Sequence, residues 1–88
     1  MNAPQVAASL ESFLRRRFRI RDDDANFTRS TGLWEEGYVD SIGVVELIAH
    51  LESTWGVAIP DEALLDPAFR SIDGIARIVS GLAAQRVA

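Results

Sequence analysis

Residues 35–52 read EEGYVDSIGVVELIAHLE, and the fold turns on how this stretch is placed. Val44, Leu47, Ile48, Leu51 and, just beyond it, Trp55 recur at i, i+3, i+4, i+7 and i+11, the spacing of one helix face. The spacing predicts a helix over 41–55, with Asp40 or Ser41 as its N-cap and Gly56 as its stop. Ile42, Val45 and Ala49 form a second stripe on the same helix, rotated away from the first. A helix in a small domain needs one buried face, so this stripe is surplus to the core. With Glu46 and Glu52 interleaved, it has the composition of a protein-docking surface. The plainer alternative is that a short helix at 61–66 covers part of it.

The flanking sequence predicts a bundle around this helix. Residues 4 to about 18 place Val6, Leu10, Phe13, Leu14 and Phe18 on one side of a helix, with Pro4 in its first turn. The arginines of RRRFRIR, residues 15–21, meet the negative end of that helix's dipole. Residues 21–40 read as a long ordered loop anchored by Phe27, Leu33, Trp34, Tyr38 and Val39, with one helical turn near 33–36. DEALLD, 61–66, is a short helix capped by Asp61 and ended before Pro67. Residues 71–85 form the last helix, capped by Ser71, with Ile72, Ile75, Ala76, Ile78, Val79 and Leu82 on its apolar side. No stretch reads as a strand. The expected fold is all-α: a four-helix bundle of three main helices and one short one, with a long first loop, in a single domain spanning 1–88.

Composition excludes several classes of function. The chain of 88 residues has no cysteine, so it forms neither disulfides nor thiolate metal sites. Its single histidine, His50, argues against a zinc site built by the protein alone. No apolar run approaches the ~20 residues of a membrane span. The opening MNAPQVAASLESFLRRR lacks the basic start and apolar core of a secretory signal, so a soluble cytoplasmic protein is expected; a monomer is expected too. Net charge is -4, and residues 35–66 hold Glu35, Glu36, Asp40, Glu46, Glu52, Asp61, Glu62 and Asp66 with no Lys or Arg. Such a block repels nucleic acid and attracts basic protein surfaces.

Ser41 lies between an acid and an apolar run, where a nucleophile, a cap or an attachment point could each sit. A serine nucleophile needs a base within hydrogen-bond reach. His50 is nine residues on, which on one helix means the opposite face and about 13 Å along the axis. No lysine or cysteine can replace it. Catalysis by this chain alone is therefore not expected, and no catalytic or metal-binding residue is assigned. A hydroxyl at a helix N-terminus is instead well placed to bear a phosphate, because free N–H groups and the positive dipole end favour one there.

GYVDSIGVVELIAHLESTWGVAIPDE, residues 37–62, resembles the phosphopantetheine attachment region of acyl and peptidyl carrier proteins. Asp40, Ser41 and Ile42 stand for the family's Asp-Ser-(Leu/Ile) core, and Glu46, Leu47 and Glu52 continue its pattern. Trp55 stands where an aromatic closes the helix, "IPDE" at 59–62 matches the turn into the short helix, and FRSIDGIARIV opens the last one. The resemblance implies a carrier without enzymatic activity. A phosphopantetheinyl transferase would place 4′-phosphopantetheine covalently on Ser41, with Asp40 engaging the transferase and its metal ion. The arm would hold acyl or aminoacyl groups as thioesters. Ile42, Val45, Glu46 and Ala49, with Glu35 and Glu36, would dock partners: an adenylating or acyl-loading enzyme, then condensing or tailoring enzymes.

Two departures from fatty-acid-synthesis carriers stand out. Gly43 replaces a common acid, which would remove a charge beside the arm and let a partner backbone approach. Ala49 replaces a larger apolar residue. Gly37-x-x-Asp40-Ser41-x-Gly43 is similar to stand-alone aminoacyl carriers, including the D-alanyl type. These features favour a discrete carrier of specialised, polyketide- or nonribosomal-peptide-like metabolism. Two other readings are a helical adaptor that docks through the acidic helix with no prosthetic group, and a nucleic-acid binder using Arg15, Arg16, Arg17, Arg19 and Arg21.

Overall fold

The computed structural model describes residues 2–87, with side chains as far as Gln85. Four α-helices follow in order: α1 (Ala3–Arg17), α2 (Ser41–Trp55), α3 (Asp61–Leu65) and α4 (Ile72–Val87), with a 3-10 turn at Pro67–Arg70 before α4. No strand occurs among the described residues. The expected all-α bundle is therefore observed, and α2 has the bounds that its apolar periodicity predicts.

Each main helix begins where side-chain chemistry starts it. Asn2 caps α1, accepting the Gln5 N–H at 2.9 Å while the Gln5 side chain accepts the Asn2 N–H at 3.0 Å. This reciprocal pair satisfies two donors that the first turn would leave open. Asp40, not Ser41, caps α2, its Oδ1 accepting the Gly43 N–H at 2.7 Å. Ser71 caps α4 as expected, its hydroxyl accepting from Gly74 at 3.1 Å. Asp61 does not cap α3: the cap is Pro60, which offers no side-chain acceptor, and Asp61 is the first helical residue. Gly56 ends α2 at φ 65°, a left-handed conformation that costs other residues about 1 kcal/mol or more.

The core gathers one stripe from each long helix: Val6, Leu10 and Leu14 of α1, Leu47 and Leu51 of α2, and Ile72, Ile75 and Val79 of α4. Its most extensive pairing is α1 against α4. Val44, Ile48 and Trp55 pack against this core but stay partly exposed, so Trp55 is less buried than its place in the stripe predicts.

The long loop is a structural layer. Phe27, Leu33 and Val39 are buried in the same core. The Leu33 N–H donates to the Arg70 carbonyl at 2.7 Å, and the Asp73 N–H to the Arg29 carbonyl at 2.9 Å, which ties the loop to the 3-10 turn and to α4. The Tyr38 hydroxyl donates to Asp24 at 2.8 Å, so the loop also closes on itself. Burial first, then the Asp24 carboxylate, pushes the Tyr38 phenol above its usual range. These anchors hold the segment that leads directly into α2.

Candidate functional site

Ser41 is the first residue of α2 and is exposed. Asp40 takes the Gly43 N–H through its side chain and the Val44 N–H through its carbonyl at 2.9 Å. Those two bonds leave the Ser41 and Ile42 N–H groups without a protein acceptor among the described residues. The Ser41 hydroxyl thus stands at a positive, unsatisfied helix end. A phosphodiester on that oxygen fits: open donors lie beside it, and Asp40, the nearest acid in sequence, is already engaged by Gly43.

The face around Ser41 is apolar and open. Ile42 keeps 71% and Val45 67% of their surface exposed, and Ala49 is exposed one turn further on. Leu47 and Leu51, on the other side of the same helix, are fully buried. The two stripes read from the sequence therefore separate as expected. α3 does not cover the second one. It adds to the exposed apolar surface instead, with Leu65 at 84% and Leu64 at 38%. Sequence reasoning missed these two leucines. The available signal was their adjacency: neighbours on a helix point about 100° apart, and a five-residue helix cannot bury both.

The acidic residues assigned to docking are distributed differently. Glu46 is not a free carboxylate: the Arg17 guanidinium grips both its oxygens from the end of α1. Glu35 pairs with Arg70 at 3.4 Å, while Glu36 is exposed. Glu52 accepts the Ile59 N–H at 2.8 Å, binding α2 to the segment before α3. Part of the arginine run is likewise engaged, with Arg15 on Glu11 and on the Arg21 carbonyl, and Arg21 on Asp23. Arg29 first, with Arg15 helping against partial burial, draws the Glu11 carboxyl below its usual range.

Gly43 plays a different part from the one its neighbourhood suggests. It is buried, and a Cβ there would stand 2.7 Å from the Phe18 ring and 3.0 Å from Val39. The glycine admits the Phe18 ring against α2, so it neither frees the surface beside Ser41 nor lets a partner backbone approach.

His50 is no partner for Ser41. Its ring stacks on Phe13 with centroids 3.8 Å apart, and its Nε2 is buried without a hydrogen-bond partner among the described residues. Burial, helped by the Arg16 charge, lowers its pKa, so it is neutral at pH 7. Among the described residues no group of three or more His, Asp or Glu side chains could hold a metal ion, and no helix is long and apolar enough to cross a membrane.

Comparison with known proteins adds one match. A family model described as the phosphopantetheine attachment site matches residues 6–79. No curated protein matches the chain.

Proposed function

The chain belongs to the phosphopantetheine-attachment family, and from that premise we propose that Ser41 is the serine that bears the arm. The protein is a carrier without catalytic activity of its own; it holds 4′-phosphopantetheine covalently on a serine and works with a phosphopantetheinyl transferase and with partner enzymes. The observation that carries Ser41 is its placement: an exposed hydroxyl at the first position of α2, next to two open N–H groups and flanked by exposed Ile42 and Val45.

When attached, the arm supplies a terminal thiol on which acyl or aminoacyl groups are held as thioesters. The protein's own residues present it. Asp40 holds the first turn of α2 in shape through the Gly43 N–H, and beside Ser41 it would engage the transferase and its metal ion. Ile42, Val45 and Ala49 offer the apolar footprint, Glu46 follows it on α2, and Glu35 and Glu36 complete the proposed docking set.

The cargo belongs to specialised metabolism or to aminoacyl transfer, supplied by an adenylating or acyl-loading enzyme and used by condensing or tailoring enzymes. Ala49 supports this reading, because it leaves the footprint shallower than a larger side chain would. The domain spans 1–88 and acts as a cytoplasmic monomer.

Intact mass after incubation with coenzyme A and a broad-specificity transferase tests the site. The wild type gains one phosphopantetheine, while Ser41→Ala gains none and keeps its helical circular dichroism. A modified Ser41→Ala protein would move the site elsewhere.

A further inference from the structure

The face that presents Ser41 has two banks of opposite charge. Around α2, taking Ser41 as zero, Val45 lies at about 40°, Ala49 at about 80° and Ile42 at about 100°. Glu46 follows at about 140°, His50 at about 180° and Gly43 at about 200°. The last three are the residues that α1 and its C-terminal end touch, through Arg17, Phe13 and Phe18 respectively. The end of α1 therefore forms one bank of the footprint, directly beside Ile42.

That bank is basic. Arg17 neutralises Glu46 and lies over the Phe18 ring at 5.5 Å. Arg16 and Arg19 are exposed, and neither has an acidic partner among the described residues. Arg19 follows Phe18 in a left-handed conformation, φ 54°, directly after the ring seated on Gly43. The opposite bank is acidic. Glu52, at about 20°, holds the Ile59 N–H, and the chain then enters α3 with Asp61 and Glu62 exposed in its first turn. The middle of the chain is uniformly acidic in sequence, but folding brings the basic end of α1 to its main helix, with Arg17 on Glu46.

We infer that the enzymes which load the Ser41 arm meet this chain with a carboxylate-bearing edge over the end of α1 and a cationic edge over α3. The occupant is a protein of that charge arrangement around an apolar contact for Ile42, Val45 and Ala49. Matched potentials of this kind fix orientation and raise the rate of encounter, whereas opposed ones exclude wrong partners. A partner with a wholly basic docking patch would face Arg16 and Arg19 and be turned away. The inference rests on the carrier reading of Ser41.

The test uses holo protein, with wild type and variants converted to completion by excess transferase and checked by intact mass. Loading by an adenylating or acyl-transferring enzyme that charges the wild-type holo protein is then measured for wild type, Arg16→Glu/Arg19→Glu and Asp61→Lys/Glu62→Lys. Each double reversal is expected to lower loading kcat/KM by about tenfold at low salt, with the difference shrinking as salt rises and melting unchanged. Loading of Arg16→Glu/Arg19→Glu at or above the wild-type rate would overturn the inference. So would binding of an oligonucleotide, or self-association, that this reversal abolishes, since the basic bank would then serve nucleic acid or a second copy. If the wild type never takes up the arm, the mass measurement shows that the carrier reading itself has failed, and the inference falls with it.

Discussion

Aspartate at position 42 and aspartate at position 47 should have opposite consequences, although the two sites lie on the same helix. Ile42 keeps 71% of its surface exposed. Full burial of such a side chain contributes about 1.5–3 kcal/mol, so the fraction removed from water here contributes below ~1 kcal/mol. An acid in the first turn of α2 also interacts favourably with the helix dipole, by about 0.3–1 kcal/mol. The two terms nearly offset, and Ile42→Asp should shift the melting temperature by no more than about 5 °C. Leu47 has no exposed surface. Truncating a buried leucine costs about 2–5 kcal/mol, and placing a carboxyl in the apolar space adds several more. A domain of this size has roughly 4–13 kcal/mol in total, so Leu47→Asp should not fold. Thermal circular dichroism gives the stability of each variant, and intact mass after transferase treatment gives arm uptake. The expected pattern is a folded Ile42→Asp protein that is modified slowly and a Leu47→Asp protein with no cooperative transition. If Ile42→Asp melts as poorly as Leu47→Asp, or is folded and modified at the wild-type rate, the separation of core face from docking face is wrong.

Two further predictions concern stability. A Cβ on Gly74 would lie 1.7 Å from the Ala68 carbonyl oxygen, so Gly74→Ala must displace the 3-10 turn and should cost about 1–3 kcal/mol despite its better helix propensity, whereas Gly81→Ala, with open space at its Cβ, should stabilise by up to ~1 kcal/mol; urea midpoints of the two variants check the opposite signs. Folding depresses the His50 pKa through burial and then Arg16, so the unfolded chain binds the proton first as pH falls; the stability that neutral His50 contributes is fully present above about pH 6.5 and is lost as pH drops through the lower folded value. His50→Gln should flatten the dependence of the urea midpoint on pH between about 7.5 and 5, and an unchanged slope would place the titration elsewhere.

The sequence by itself determined the helices and the two faces of α2. Helical periodicity is a local property: Val44, Leu47, Ile48, Leu51 and Trp55 mark one side of a helix whatever packs on it, and Ile42, Val45 and Ala49 mark another. Caps are local too, which is why Ser71 and Gly56 were legible. The resemblance around Asp40-Ser41-Ile42 was equally a matter of sequence, and it led to the family. Asp61 failed as a cap because Pro60 already holds the cap position in extended backbone, where the chain turns into α3. What only the tertiary structure decided were contacts between residues far apart in the chain. Arg17 and Glu46 lie 29 residues apart, and no periodicity announces that one neutralises the other. Gly43 looked like an opening toward partners and proved to be the seat of the Phe18 ring. Gly74 gave no sign that the Ala68 carbonyl presses on it. Electrostatic attraction and close packing act through space, so the charge and shape that a helix presents depend on which neighbours folding brings against it.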